Sequence, residues 1–119
     1  MKKKYEVIFY RDINKKSPFI EFLNSLDNKL RAKTLMMIHL LEENGNDLRE
    51  PYTKSLSDGI FELRTISGNN ITRSLFFFYV NKKIVITNGF VKKTQKTPKN
   101  EIELAKNYKN DFIKRNGSK

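Results

Sequence analysis

The sequence predicts an α+β fold in which a small antiparallel β-sheet packs against two N-terminal helices and one C-terminal helix. Three observations support this fold class: helical spacing of apolar residues in the N-terminal part, strand-like alternation in the middle, and a helix-start signal after the last strand. The predicted element order is β-α-α-β-β-β-α. At 119 residues the chain is large enough for one core, so residues 1–119 are assigned to a single domain.

The N-terminal elements are predicted to be one strand and two helices. Residues 5–10 are β-branched and aromatic, which is typical of a strand. Ser17 before Pro18 is a helix-start signal, and this helix is expected to run to about Leu26. Asp27 caps the second helix, which ends at an Asn-Gly-Asn sequence. The stripe that packs this helix on the sheet is Leu30, Thr34, Met37, Ile38 and Leu41.

The predicted sheet continues with three consecutive strands. They cover residues 60–66, 71–80 and 84–90, and two good turn sequences separate them. The middle strand is apolar on both faces, as expected for a central strand that is covered on each side. Thr97-Pro98 begins the last helix, and residues from about 116 to 119 are predicted to be a disordered tail.

The composition predicts a polyanionic partner. The net charge is +11, and it is uneven: residues 1–81 hold 13 basic and 10 acidic side chains, whereas residues 82–119 hold 11 and 3. A lysine-rich solvated surface is the alternative explanation. The chain has no cysteine, which excludes disulfides and thiolate metal sites and is typical of a reducing cytosol. No apolar stretch approaches the roughly 18 residues that span a bilayer, so a cytoplasmic protein without membrane contact is expected.

The densest cationic segment is Gly89–Pro98, at the exit of an apolar strand. It contains Phe90, Lys92, Lys93 and Lys96 in ten residues. A hydrophobic core does not need this much positive charge, whereas lysines beside phosphates neutralise charge and release counterions. The segment therefore indicates a nucleic-acid partner.

Strand register places two arginines opposite each other. If Gly68-Asn69 is a two-residue turn, Arg64 faces Arg73, and if Asn81-Lys82 is the next turn, Arg73 faces Phe90. Like charges directly opposed across a sheet are destabilising, so an anion is expected between them, and arginine is suited to phosphate. Phe90 is then placed to stack on a base. Two alternatives stay open: Arg64 pairs with Glu62 or Asp58, and Phe90 belongs to the core.

Other chemistry-bearing motifs are missing from the sequence. There is no phosphate-binding glycine loop, no nucleophile elbow and no zinc-ligand spacing. The single histidine, His39, excludes a ribonuclease that uses two histidines as acid and base. The acidic residues are scattered without metal-ligand spacing, so neither a metal nor another cofactor is expected.

Three blocks together resemble the HigB-type branch of the RelE/ParE toxin superfamily. They are residues 54–64 (K-x-L-x-D-G-I-F-E-L-R), residues 68–77 with their Gly-Asn turn and arginine, and residues 90–98 (F-x-K-K-x-x-K-T-P). The resemblance implies a RelE-like fold and the toxin of a type II toxin–antitoxin pair. Such toxins are mRNA interferases, which cleave messenger RNA, commonly on the ribosome, and arrest growth. It also implies a cognate helix-turn-helix (HigA-like) antitoxin as partner, with the free toxin a monomer.

The resemblance also suggests which residues act. Lys54, Arg64, Arg73, and Lys92 or Lys93 match basic positions of RelE-like endoribonucleases. The resulting hypothesis is metal-independent cleavage by the 2′-hydroxyl of the RNA. Two arginines would stabilise the phosphorane, and lysines (Lys93, Lys54 or Lys92) would move protons. The RNA-binding residues are expected to be Phe90, Lys92 and Lys96.

Two other functions remain compatible with the same sequence. A ParE-like toxin would bind DNA gyrase and cleave nothing, and a non-catalytic module would only bind RNA. Fold alone does not decide among these activities. The lysine cluster and the paired arginines favour RNA, because a protein-binding toxin needs no phosphate site.

Overall fold

A computed structural model describes residues 4–92 and 96–117 of the chain. Lys93, one of the expected catalytic residues, and the last two residues of the predicted tail lie outside this part. Within it the chain forms five strands, three α-helices and one 3₁₀ turn. The strands are β1 (Glu6–Phe9), β2 (Thr53–Ser55), β3 (Phe61–Ser67), β4 (Asn70–Tyr79) and β5 (Lys83–Lys92). The helices are α1 (Pro18–Ser25), α2 (Asn28–Asn44) and α3 (Lys99–Asn116), with the 3₁₀ turn at Gly45–Asp47.

The α+β class and the predicted element order are confirmed, with one addition. The short strand β2 has no alternation long enough to be detected in the sequence. Asn116, in the predicted tail, is still the last residue of α3. Both predicted N-terminal helix starts are confirmed: the Ser17 side chain accepts the amide of Ile20, and that of Asp27 accepts the amide of Leu30.

The sheet is mixed: four strands form the predicted antiparallel sheet, and β1 extends it with one parallel ladder. Its strand order is β1-β5-β4-β3-β2, and the ladders among β2, β3, β4 and β5 are antiparallel. Strand β1 pairs in parallel with β5. These two strands are far apart in the sequence, so no local turn signal sets their relative direction. It depends on where α1 and α2 return the chain to the opposite edge of the sheet.

Helices cover both faces of the sheet and create two cores. Helices α1 and α2 pack on one face around Phe19, Leu41 and Phe76. Helix α3 packs on the other face, where Ala105 and Phe112 contact sheet residues such as Phe77. This arrangement explains why β4 is apolar on both sides. No described helix combines the length and the apolarity that crossing a bilayer would require.

Strand β5 contains a bulge that restores the predicted register. The β4–β5 connection spans residues 80–82, one residue more than expected, since Tyr79 pairs with Lys83. The pairing then shifts by one residue at Thr87, between the pairs Phe76–Ile86 and Leu75–Asn88. Thr87 is fully buried, and its hydroxyl lies 3.2 Å from the Leu75 carbonyl oxygen. Beyond the bulge, the register is the one that the sequence predicts.

Candidate functional site

The two predicted arginines face each other on the side of the sheet that α3 covers. Arg64 of β3 pairs with Arg73 of β4, and Arg73 pairs with Phe90 of β5. The predicted row of three residues is therefore confirmed. The neighbouring row on the same face joins Lys54 of β2 to Glu62 of β3. The sheet thus collects three cations and one carboxylate on adjacent strands.

Glu62 is a buried carboxylate that accepts hydrogen bonds from three side chains. Its Oε2 accepts the Nε–H of Arg64 at 2.8 Å and an Nη1–H of Arg73. Its Oε1 accepts the hydroxyl of Thr97, which lies between β5 and α3. No surface of Glu62 is exposed. A buried charge is tolerated only when it is paired and hydrogen-bonded, and here both oxygens are.

The anion between the opposed arginines is therefore supplied by the chain itself. Burial would raise the pKa of Glu62, but hydrogen bonds from Thr97 and Arg64, with the charges of Arg73 and Arg64, outweigh it. The pKa lies below its ordinary value, and the carboxylate is ionised near neutrality. Opposed arginines do not by themselves require a substrate phosphate. The alternative of pairing with a nearby acidic residue is the one found for Arg64.

Lys92 is a buried lysine at the end of β5. Its residue surface is 3% exposed, and its Nζ has no hydrogen-bond partner among residues 4–92 and 96–117. Burial and, next, the charge of Arg73 lower the pKa of Lys92 from 10.5 to about 8, although Glu62 acts in the opposite direction. A lysine of this kind can exchange a proton near neutral pH, which an exposed lysine does poorly.

A cleft of about 250 Å³ opens beside the arginine pair, between β2 and the segment that leads into α3. Arg73 of β4, Glu62 of β3 and Lys54 of β2 line it from the sheet, and Lys96 with Thr97 line it from the segment that leads into α3. Lys54 and Lys96 are exposed, whereas Arg73 is buried. The cleft therefore has one buried cation and exposed cations on two sides, an arrangement that focuses positive potential on a small volume.

The start of α3 is fixed to the sheet by two polar contacts. One is the Thr97–Glu62 hydrogen bond, and the other joins the buried side chain of Asn88 to Glu101. The Asn88 Nδ2 lies 3.3 Å from the main-chain oxygen of Glu101 and 3.2 Å from its Oε1. These contacts hold Lys96 beside the cleft.

The structure brings three of the seven expected residues to the lining of one cleft, and Arg64 lies beside it as the strand partner of Arg73. These three residues are Lys54, Arg73 and Lys96. Phe90 is only partly buried, but it packs against the core cluster beneath α3. Contact of its ring with a base stays a prediction. The position of Lys93 relative to the cleft is outside the described residues.

The pairing of Arg64 with Glu62 was one of the open alternatives, since Glu62 lies two residues before Arg64 in one strand and therefore shares its face. Sequence reasoning missed that Glu62 also binds Arg73, and it missed the role of Thr97. For Thr97 there was no sequence signal, since its contact with Glu62 spans 35 residues. Among the described residues, no group of three or more His, Asp or Glu side chains is arranged to hold a metal ion.

Comparison with known proteins gives one family match. The family model described as "Phage derived protein Gp49-like (DUF891)" matches residues 21–110, about three quarters of the chain. The matched region includes α2, strands β2–β5 and most of α3, and thus every cleft residue named above. A search among curated proteins found no match.

Proposed function

Because the chain belongs to the Gp49-like family of phage-derived proteins, a toxin-like family of RelE/HigB type in toxin–antitoxin systems, we propose that it is the toxin of a type II pair. We further propose that it is a metal-independent endoribonuclease that cleaves messenger RNA in the cytoplasm, with the ribosome presenting the substrate. The cleft between β2 and α3, with Arg73 buried beside it and lysines on two sides, carries this proposal.

The charges of the cleft fit a phosphodiester. A single phosphate linkage brings one negative charge, and the exposed Lys54 and Lys96 both line a volume of about 250 Å³, which is large enough for a phosphate group. Arg64 gives its Nε–H to Glu62, and a guanidinium has five N–H donors in all. The arginines can therefore keep their bond to the carboxylate while they donate to a phosphate oxygen. Preorganised donors of this kind act most strongly on the charge that develops in the transition state.

The proposed reaction uses a nucleophile that the RNA supplies. The 2′-hydroxyl oxygen attacks the adjacent phosphorus, its proton passes to a base, and the bond from phosphorus to the 5′-oxygen breaks. The 5′-oxygen takes a proton from an acid, which leaves a 2′,3′-cyclic phosphate and a 5′-hydroxyl. No metal or cofactor enters this scheme. Arg64 and Arg73 would stabilise the extra negative charge on the phosphorane oxygens.

Lys92 is the described lysine best suited to accept the proton. Its lowered pKa leaves a substantial neutral fraction at pH 7–8, and it lies next to Arg73 on the same face of the sheet. Lys54 is exposed and lines the cleft, so it is assigned to the departing 5′-oxygen. Lys93 follows Lys92 directly and remains a second candidate for either transfer.

Induced expression with transcript mapping tests the proposal. Wild-type protein is expected to arrest growth and to produce discrete cuts in translated messages, as seen by primer extension. Lys54→Ala and Arg64→Lys are expected to lower the cleavage rate at least about tenfold. Lys82→Ala, which changes an exposed lysine at the opposite end of β5, is the matched control and retains activity. Treatment of the purified protein with EDTA, followed by removal of the chelator before ribosomes in Mg²⁺ buffer are added, is expected to leave the cleavage rate unchanged.

Two results would contradict the nuclease assignment. Intact messages together with DNA breaks would support a ParE-like gyrase inhibitor, and RNA binding without cuts would support a non-catalytic module.

Arg73→Ala is a poor test of the nuclease assignment, because it leaves buried Glu62 without one of its cations and is expected to cost about 3 kcal/mol of stability. Arg73→Lys keeps the charge and is the better variant.

The proposed partner that silences the toxin is a helix-turn-helix antitoxin. Charge complementarity supports an acidic antitoxin segment, since the C-terminal third carries most of the net positive charge. Co-expression of the neighbouring gene is expected to abolish growth arrest and to yield a stable complex. A neighbouring product that neither binds nor protects would contradict the pairing.

A further inference from the structure

Both opposed arginines bond to one atom of Glu62. Arg64 Nε and an Arg73 Nη1 donate to the same Oε2, and these residues lie on adjacent strands as direct partners. Two guanidinium groups at this spacing repel each other. A single oxygen shared between them therefore fixes how far apart they lie and in which direction each points. Long arginine side chains would otherwise have several rotamers available.

The other oxygen of Glu62 reaches into the segment that carries the lysines. Thr97 donates its hydroxyl to Oε1, and Thr97 follows Lys96 directly. Thr97 and Lys96 both line the cleft that Arg73 lines. The carboxylate thus joins the arginines of β3 and β4 to the entrance of α3, and Arg73 Nη1 adds a direct contact of 3.5 Å to the Thr97 hydroxyl oxygen.

We propose that Glu62 and Thr97 are positioning residues of the cleft, which hold Arg64, Arg73 and Lys96 in one constellation without contacting the substrate. The two oxygens of Glu62 are both occupied by donors from the chain, so the carboxylate is not placed to accept a proton from RNA. Only the cleavage readout of this proposal rests on the proposed nuclease function.

Glu62 also sets the electrostatic surroundings of Lys92. The charged groups that act on the Lys92 amine are Arg73 of β4, Glu62 and Arg64 of β3, and Lys54 of β2. The three cations lower the pKa of Lys92, and Glu62 alone among these four raises it. Removal of the Glu62 charge is therefore expected to lower the Lys92 pKa further below 8.

Glu62→Gln tests this charge effect in the full-length protein. Titration of the Lys92 side chain by NMR with ¹³C-labelled lysine is expected to shift to lower pH by about half a unit or more. If the protein cleaves RNA, the acid limb of the pH–rate profile is expected to shift in the same direction. A folded Glu62→Gln protein with an unchanged Lys92 titration overturns the charge effect of Glu62, and one in which the Arg64 Nε–H exchanges with solvent no faster than in the wild type overturns its positioning role.

Thr97→Val and Thr97→Ser test the hydrogen bond between Thr97 and Glu62 while Glu62 stays charged. They test the positioning proposal even if Glu62→Gln does not fold. Thr97→Val removes the hydroxyl at nearly constant volume and is expected to slow single-turnover cleavage about tenfold. Affinity for a 2′-O-methyl RNA, which has no nucleophile, is expected to stay within about twofold. Thr97→Ser restores the hydroxyl and the rate.

A readout without RNA keeps this inference separate from the proposed nuclease activity. The Arg64 Nε–H that bonds to Glu62 is expected to exchange with solvent several-fold faster in Thr97→Val than in Thr97→Ser, because Glu62 loses its third donor. Equal exchange and equal cleavage in the two variants overturn the role of Thr97. Absence of cleavage by the wild type, with the exchange difference present, overturns the nuclease proposal and leaves the positioning role standing.

Discussion

At the scale of single residues, the site contains two buried ionisable groups that differ in their hydrogen-bond partners. Glu62 has donors on both carboxylate oxygens, and its pKa is lowered. Lys92 is almost as buried, but its Nζ has no partner among the described residues, and its pKa falls to about 8. The first group contributes order to the cleft. The second costs stability, as expected for the chemical role that we propose for Lys92.

The pH dependence of stability follows from the Lys92 pKa. Below pH 8 both the folded and the unfolded chain bind the proton, and the folded state bears the full cost of burying the charge. Between pH 8 and 10.5 the folded chain has released a proton that the unfolded chain still binds, so the free energy of unfolding rises with pH. Above pH 10.5 this contribution is constant.

Lys92→Met is therefore expected to stabilise the protein. Methionine has a similar volume and no charge, so the free energy of unfolding at pH 7 is expected to increase by about 1 kcal/mol. This increase in the free energy of unfolding should disappear as the pH approaches 10. Urea denaturation at several pH values measures it. Lys82→Met, at an exposed position, is the control and should show no such trend. A gain that is equal at pH 7 and pH 10 would contradict the assigned pKa.

At the scale of elements, the pairing of β4 with β5 shows which features of a hairpin the sequence predicts and which it does not. The turn sequence Asn81-Lys82 predicts the hairpin, and both residues have positive φ as in such turns. The connection is one residue longer than this signal suggests, and the bulge at Thr87 compensates. Nothing in the sequence marks the bulge. The Arg73–Phe90 pairing was correctly predicted because two deviations of opposite sign cancel.

Helix α1 lies so close to β5 that one position must be glycine. A Cβ on Gly89 would lie 2.6 Å from Phe22 Cδ2 and 3.0 Å from Phe19 Cε1. Both rings come from α1, and Phe19 is fully buried. The first residue of the cationic segment therefore owes its identity to helix packing rather than to nucleic-acid binding.

Gly89→Ala is expected to destabilise the protein by about 1–3 kcal/mol through overpacking. Thermal unfolding followed by circular dichroism measures the loss. In the background of Phe22→Leu, which removes the ring atoms nearest to the added methyl group, the same substitution should cost clearly less. Additive costs in the double variant would show that the Phe22 ring is not the obstacle.

At the scale of the whole molecule, one cleft gathers cations from several elements of a strongly basic chain. The net charge of +11 is large for 119 residues, and the cleft gathers cations from β2, β4 and the entrance of α3. Exposed cations around a concave volume raise the local concentration of an anionic substrate. Such binding must weaken with salt, since each phosphate contact releases counterions.

Affinity for single-stranded 2′-O-methyl RNA is therefore expected to fall steeply between low and physiological salt. Lys54→Ala should reduce the slope of log K against log salt by about 0.7, the loss of one phosphate contact on a single strand. Lys82 precedes β5 and lies about 30 Å from Lys92, as calculated from the rise of a strand. Lys82→Ala should therefore leave the slope unchanged. Equal slopes in all three proteins, measured by fluorescence anisotropy, would place RNA binding elsewhere.

The sequence by itself determined the α+β class, the helix starts and the register that opposes Arg64 to Arg73. These depend on local periodicity, capping residues and turn residues, which act over short distances along the chain. Only the tertiary structure decided that β1 runs parallel to β5, that Glu62 is the anion between the arginines, and that Thr97 closes the network. These contacts join residues that are far apart in the chain or lie in strands too short to be detected, so their geometry depends on how the helices pack on the sheet.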